Sequence, residues 1–271
     1  MTVKHEGARV ERRTKIQINN PSSFRNVKLF FLGFFLLSFA SLLFLELDLA
    51  KVAARLPKMG NVLSRLAILS FDKLDILLKA TAESVSVTVL SVFYSIVPSM
   101  ILGAFMASNI IGSRAARAVI SWICSIIRAI PTTVWVLIIL ACLGFGPAAG
   151  IIGMCFHTLA FLARAFQQSF ENVPEGNIEA LKSGGASRVR IFFQAILPGA
   201  LSNMISWCAI RFESNFSEST ILGMVGAGGV GYTVMACMNG YEYGRAGTAV
   251  LVILLLSFGL EALSIRLKKN I

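Results

Sequence analysis

The fold is decided by EALKSGGASRVRIFFQAILP, the stretch from Glu179 to Pro198, in which polar residues give way to an apolar run. Two glycines in its middle, Gly184 and Gly185, are expected to end one helix, and Ser187 can cap the next. We therefore expect two short helices at an angle. The second leads into the apolar segment.

The chain around this stretch has the composition of an integral membrane protein. Of its 271 residues, 56% are hydrophobic and 14% are charged, whereas a soluble domain has about 25% charged residues. The net charge of +11 lies mainly in connecting segments, which favours membrane orientation over nucleic-acid binding. Five scattered cysteines without a C-x-x-C pair support neither a disulfide framework nor a metal site.

Apolar windows predict an all-α protein with about six spans, at 29–49, 84–107, 118–143, 147–166, 191–212 and 246–266. Residues 1–28 form a basic tail, 29–83 hold a first peripheral span and a linker, and 84–271 form the core with a cytoplasmic loop at 167–190. The positive-inside rule places both termini in the cytoplasm, because the tail, the segment after the second span and the C-terminus are basic.

The segment 50–83 conflicts with this topology, because it holds six basic residues and is expected on the outside. Its apolar residues, as in VLSRLAILSFDKLDILL, recur at helical spacing. We therefore expect an amphipathic helix in the lipid interface, where basic residues are tolerated.

The opening stretch resembles the loop shared by permease subunits of ATP-binding-cassette (ABC) importers. That loop reads Glu-Ala-Ala, three residues, Gly, nine residues, Ile, one residue, then Leu-Pro. This chain departs from it at Leu181 and Ala195, and it matches in register at Glu179, Ala180, Gly185, Leu197 and Pro198. An ordinary helical hairpin between two spans is the alternative interpretation.

The resemblance implies a type I ABC importer permease, in which the helix at 174–185 docks on a cytoplasmic ATPase and transmits its closure. The coupling residues predicted in this way are Glu175, Glu179, Ala180, Gly184 and Gly185. A P-loop needs a Gly-Lys pair, and the chain contains none. We therefore expect a non-catalytic subunit without a cofactor, with ATP and Mg²⁺ on a separate ATPase.

Two further stretches resemble permeases of phosphonate-type importers: RAIPTTVW from Arg128, and RFESNFSESTILGMVGAGGVG from Arg211 to Gly231. The resemblance covers about residues 80–271 and implies a homodimer in the bacterial inner membrane, served by two ATPases and a periplasmic substrate-binding protein. Many phosphonate permeases have an arginine where this chain has Ser217, so phosphite or hypophosphite are further candidate cargoes. A methionine or other small-molecule permease is the alternative.

The second stretch contains GAGGVG, a match to the dinucleotide pattern G-x-G-x-x-G. No βαβ unit is predicted around it, and no acidic residue follows at about 20 positions. We expect a packing or gating turn between the last two spans, with substrate contact by backbone amides as the second interpretation and a dinucleotide site as the least favoured. The gate residues predicted here are Ser219, Thr220, Gly226, Gly228 and Gly229.

Arg128 lies about ten residues into the third predicted span, where a charge costs at least ~2.5 kcal/mol on insertion scales. It is predicted either to attract a phosphorus oxyanion through its forked donors or, as we favour, to form an ion pair with Glu213 or Glu218. The fifth predicted span is polar at its outer end, with Arg211, Glu213, Asn215 and Glu218. This cluster is expected to form a gate or a docking face for the binding protein.

Overall fold

The computed structural model describes residues 21–45 and 48–270, so most of the predicted basic tail lies outside the described residues. Within them the regular structure is helical: α1 (Pro21–Phe44), α2 (Leu49–Ala67), α3 (Leu74–Met106), α4 (Arg114–Ala129), α5 (Thr132–Leu143), α6 (Pro147–Glu171), α7 (Glu175–Ser183), α8 (Arg188–Ile191), α9 (Leu197–Leu222), α10 (Gly229–Asn239) and α11 (Tyr243–Asn270). Two π-helical segments, Phe192–Ile196 and Gly223–Ala227, join α8 to α9 and extend α9.

The spans confirm an all-α membrane fold with five or six crossings. Five continuous helical segments in the described chain are long and apolar enough to cross a membrane: Phe24–Phe44, Leu74–Met106, Pro147–Glu171, Arg188–Ala227 and Tyr243–Arg266. A sixth crossing is possible if α4 and α5 together count as one broken span. The fifth predicted span is therefore much longer than expected, because the helix continues through the polar stretch that follows it.

The third predicted span, 118–143, is a bent pair of helices. α4 and α5 meet at an angle of 82°, with Ile130 in an extended conformation and Pro131 at the N-cap of α5. Pro131 has no backbone N–H for a continuous helix and disfavours helical geometry at the residue before it. The break therefore follows from the sequence, and it leaves Arg128 beside the bend.

The segment 50–83 is divided in the structure, whereas the sequence analysis treated it as one amphipathic helix. α2 ends at Ala67, and α3 begins at Leu74 after a short non-helical piece. This piece is held by α11, because Ser70 N–H donates to Thr248 Oγ1 at 3.1 Å and the Thr248 hydroxyl donates to Ser70 O at 2.8 Å. The described chain forms two compact units that divide between Met59 and Gly60.

α3 and α6 form the centre of this second unit. One face of α3 carries small or hydroxyl residues at four-residue spacing, namely Ser91, Ser95, Ser99 and Gly103, and all four are buried. Ser99 Oγ donates to Leu159 O of α6 at 3.0 Å, and a side chain at Gly103 would lie 2.9 Å from Ala163 O. Small residues let membrane helices approach closely, so this stripe sets the α3–α6 spacing.

The two ends of the bundle are defined by α6. Its C-terminal end leads into α7, and we call this the loop end. At its other end, Gly146 N–H donates to Gly226 O at 3.1 Å, so the turn Gly226–Gly229 lies there, and we call this the glycine end.

Candidate coupling loop and arginine site

The loop between α6 and α9 has the shape that its sequence predicts. α7 starts after Pro174, with Glu175 in its first turn, and ends at Gly184. Gly185 has a φ of 76°, in the left-handed region that favours glycine. Ser187 then accepts a hydrogen bond from Arg190 N–H and so caps α8.

α7 is attached to the bundle through one buried side chain. Ile178 is 4% exposed and belongs to a core cluster with Phe170, Val173, Ile191 and Ile196. Glu175, Glu179 and Ala180 are exposed on the same helix. A partner that binds the exposed face of α7 would therefore act directly on the ends of α6 and α9.

The buried charge of the bundle is Arg211 on α9, which is 4% exposed. Its guanidinium donates from Nη1 and Nη2 to the two carboxylate oxygens of Glu218, at 3.2 and 3.1 Å, and from Nε to Thr158 Oγ1 at 3.3 Å. This forked geometry is the strong form of an arginine–carboxylate pair. The charge of the buried Arg211 guanidinium is therefore balanced by the Glu218 carboxylate.

Asn215 extends this pair into a network that links α3, α6 and α9. Its side chain is fully buried, and its Nδ2 donates to Ser91 Oγ of α3 at 3.0 Å and to Thr158 Oγ1 of α6 at 2.9 Å. Buried polar groups are costly unless they are hydrogen-bonded, so the network favours one arrangement of α3, α6 and α9. The sequence predicts a gate or a docking face at Arg211, Asn215 and Glu218, whereas in the structure these residues link α9 to α3 and α6.

Two further arginines lie on the open side of the same region. The guanidinium carbon of Arg128 on α4 is 6.0 Å from the ring centre of Phe161, and that of Arg211 is 5.4 Å from the same ring. Arg164, one turn after Phe161 on α6, donates to Ser125 of α4 at 3.3 Å. Arg128 and Arg164 are exposed, and neither forms an ion pair with another described residue.

The favoured interpretation of Arg128 as an ion-pair partner of Glu213 or Glu218 therefore has no counterpart in the described structure. Glu218 is taken by Arg211, and Glu213 forms no ion pair within the described chain. We call Arg128, Phe161, Arg164, Arg211 and Glu218 the arginine site. Three guanidiniums and one carboxylate leave it positively charged.

The GAGGVG stretch forms a tight turn whose first amides are already bonded. Gly229 N–H donates to Glu83 Oε2 at 3.1 Å, and Val230 N–H donates to Ser84 Oγ at 3.0 Å. Gly226, Gly228 and Gly229 all have positive φ. Because α3 side chains occupy these donors at the start of α10, the geometry favours the packing or gating turn over substrate contact by these amides.

The remaining predicted gate residues make no side-chain hydrogen bond to the arginine site within the described chain. The hydroxyls of Ser219 and Thr220 donate hydrogen bonds to Phe216 O within α9. Ser217 is exposed. His157 is half-buried, and its Nδ1 has no hydrogen-bond partner within the described chain.

Sequence reasoning missed four residues that matter here: Glu83, Ser84, Thr158 and Arg164. Arg164 carried a usable signal, since it is a charge inside the fourth predicted span, where charges are rare and mark functional or paired positions. The other three did not, because nothing in the linear sequence says that Glu83 and Ser84 face Gly229 and Val230, which lie about 146 residues further along the chain.

Comparison of the sequence with protein-family models identifies the family. Residues 99–270 match the model of the binding-protein-dependent transport system inner membrane component. The chain belongs to this family. The match covers the end of α3, α4 to α11 and therefore both the loop and the arginine site.

Relatives and solved structures agree with this assignment. A phosphite transport system permease, PtxC of Stutzerimonas stutzeri, is 28% identical over 72% of this chain and 69% of its own length. The phosphate-import permease PhnE of Mycolicibacterium smegmatis is 32% identical over 77% of this chain, which spans 39% of that protein. An inward-facing structure of the MetNI methionine ABC transporter superposes with a TM-score of 0.69 at 23% identity, covering 74% of this chain and 99% of that chain. This structural likeness shows the type I importer permease fold.

Proposed function

We propose that this protein is the permease subunit of an ATP-driven importer that moves a phosphorus oxyanion, such as a phosphonate, phosphite or hypophosphite, across the bacterial inner membrane. It works as a homodimer with two cytoplasmic ATPases and a periplasmic substrate-binding protein. The observation that carries the substrate class is a pair of exposed arginines, Arg128 on α4 and Arg164 on α6, which have no carboxylate partner among the described residues. The phosphite and phosphate permeases among its relatives support the same class.

The arginine site suits a small tetrahedral oxyanion. A guanidinium presents donors in a planar fork that matches phosphate and carboxylate oxygens, and it stays charged at any physiological pH. The site has more guanidiniums than carboxylates, so it attracts anions. Zwitterionic methionine would gain much less from this excess of positive charge, because its ammonium group would be repelled.

The cargo can be released because the buried arginine of the site is paired with a carboxylate, whereas the two arginines without an ion pair in the described chain are exposed. A buried, unpaired arginine would hold an oxyanion tightly, but Arg211 is already neutralised by Glu218. Arg128 and Arg164 are exposed, where water competes for the anion and charge–charge attraction is weak. The cargo therefore meets a shallow attraction along the path, which is compatible with transport.

Coupling to ATP is assigned to α7. Both termini and the loop end face the cytoplasm in this proposal, where the exposed Glu175 and Glu179 meet the ATPase. Because Ile178 fixes α7 to the core, closure of the ATPases moves the ends of α6 and α9 and reorients the spans. The break at Pro131 supplies a bend between α4 and α5 that can change angle without breaking a helix.

The experiment is uptake into vesicles that contain this chain with the ATPase and receptor encoded beside it. Labelled methylphosphonate, phosphite and methionine are compared with and without ATP. We expect ATP-dependent uptake of a phosphorus oxyanion, reduced about tenfold or more by Arg128→Gln. The matched control is Arg266→Gln, which removes an exposed arginine of α11 and should leave uptake unchanged. Methionine uptake instead would refute the substrate class.

Coupling is tested in the same vesicles. Glu179→Lys and Gly185→Glu should abolish ATP-dependent uptake, because both positions are exposed on the loop; Gly185→Glu also strains the left-handed turn after α7, so its folding is checked by thermal unfolding. Glu261→Lys makes the same charge change at an exposed position of α11 and serves as the control. Uptake that survives both loop variants would mean that α7 does not transmit ATPase closure.

A further inference from the structure

A cavity of about 200 Å³ lies at the loop end, between the connection from α3 to α4 and the two short helices of the loop. Its polar lining includes Asn109, Lys182 and Arg188, while Ile178 and Ile191 close its inner wall. The Asn109 Nδ2 group donates to Phe170 O at 2.7 Å, but its Oδ1 is buried without a donor in the described structure. The cavity therefore offers two cations and one open acceptor.

An apolar groove of about 340 Å³ continues from this cavity. Phe105 of α3, Val189 of α8 and the neighbouring Phe192 and Phe193 line it, and Arg188 belongs to both spaces. Phe105, Val189 and Phe193 expose about half or more of their side-chain surface there, at 48%, 66% and 59%. A polar cavity that opens into an apolar groove at the end of membrane spans has the shape of a lipid, with a headgroup and a chain.

The charged residues that line the cavity favour an anionic headgroup. The cavity lining includes no carboxylate. The nearby Glu171 is held by Ser108 N–H at 2.7 Å, and Glu175 and Glu179 are exposed on α7. Basic pockets between spans on the cytoplasmic side bind anionic lipid headgroups, and each basic residue near the surface contributes favourably.

We propose that this cavity and groove bind one anionic phospholipid with a hydroxylated headgroup, of the phosphatidylglycerol type. The phosphate lies between Lys182 and Arg188, a headgroup hydroxyl donates to Asn109 Oδ1, and an acyl chain lies along Phe105 and Phe193. The lipid would thus join α3 to the loop helices beside α7. The site is separate from the arginine site and does not depend on the substrate class, although it shares the proposed cytoplasmic orientation of the loop.

The test is native mass spectrometry of the full chain released from nanodiscs that contain equal amounts of phosphatidylglycerol and phosphatidylethanolamine. We expect one retained phosphatidylglycerol per chain. The double variant Lys182→Gln and Arg188→Gln should weaken retention about 30-fold, as expected for the loss of two interfacial cations. Its control, Arg266→Gln with Lys268→Gln, removes two exposed charges from α11 and should retain the lipid.

A second pair of variants tests the groove and distinguishes a lipid from a free anion. Val189→Trp fills the groove from an exposed position and should weaken retention, whereas Val119→Trp, at an exposed valine of α4, should not. Equal retention in all variants would overturn the proposal. Loss with the charge variants alone, together with displacement by millimolar inorganic phosphate, would show a headgroup-sized anion site and would also overturn it.

Discussion

The buried pair between Arg211 and Glu218 gives the sharpest test of how the bundle is held together. Glu218→Gln keeps the size of the side chain and removes its charge. Arg211, which is 5% exposed at its side chain, would then keep a neutral amide oxygen and the Thr158 hydroxyl as its partners. We expect a clear loss of stability, because a desolvated guanidinium is left without a counter-charge.

The magnitude follows from burial. Removing one member of a buried ion pair costs about 3–5 kcal/mol. Glu218 is 29% exposed at its side chain, so the pair is not completely buried and the low end of this range, about 3 kcal/mol, applies. For a chain of this size, that free energy corresponds to a fall in melting temperature of roughly 6–12 °C.

The assay is thermal unfolding of the purified chain in one detergent, with Glu213→Gln as the matched control. Glu213 lies on the same helix and is half-buried, but it forms no ion pair within the described residues. A double variant, Arg211→Met with Glu218→Leu, should melt above Glu218→Gln, because it leaves no unpaired charge. Equal melting of the Glu218 and Glu213 variants would refute the assignment of Arg211 and Glu218 as a stabilising pair.

Three further variants test the turn and the helix packing, each by thermal unfolding. Gly229→Ala should destabilise the fold by at least about 1–2 kcal/mol, because φ is 76° and the new methyl group would collide with the Ser84 hydroxyl. Its control is Gly259→Ala, in open space on α11, which should be neutral or stabilising by up to about 1 kcal/mol. Glu83→Ala should cost about 1–2 kcal/mol, because Gly229 N–H loses its acceptor; no change would mean that water replaces it. Gly103→Leu should prevent α3 and α6 from closing, and a normally folded variant would disprove their close approach.

Much of the fold could be predicted from the sequence, because the relevant signals are local. Apolar runs indicate spans, Pro131 indicates a break, and Gly184 with Gly185 indicates the end of α7. The resemblance of Glu179–Pro198 to the importer loop then gave the family, which the comparison confirms. The division of 50–83 was missed, because the non-helical piece at Ser70 is fixed by Thr248 and not by a local turn signal.

The site was less predictable, because partners depend on which faces of helices meet. Arg211, Asn215 and Glu218 stand out in the sequence as charges and an amide at the outer end of a predicted span. Their roles required knowing that Thr158 and Ser91 face them. From the sequence, Glu218 is a candidate ion-pair partner of Arg128. Only the helix packing shows that Glu218 forms its ion pair with Arg211.

The assignment of Glu218 to Arg211 changes what the arginine site can do. If Arg128 held Glu218, the exposed cation would be neutral and the buried one would be free, which would trap an oxyanion in the bundle. The observed pairing reverses this, so the guanidiniums without an ion-pair partner among the described residues are the exposed ones. Glu218→Gln should therefore act on transport in a way that Arg128→Gln does not: by freeing Arg211 it should slow release of the oxyanion, so uptake saturates at lower substrate concentration with a lower maximal rate. An unchanged half-saturation concentration in folded Glu218→Gln vesicles would show that the cargo never reaches Arg211.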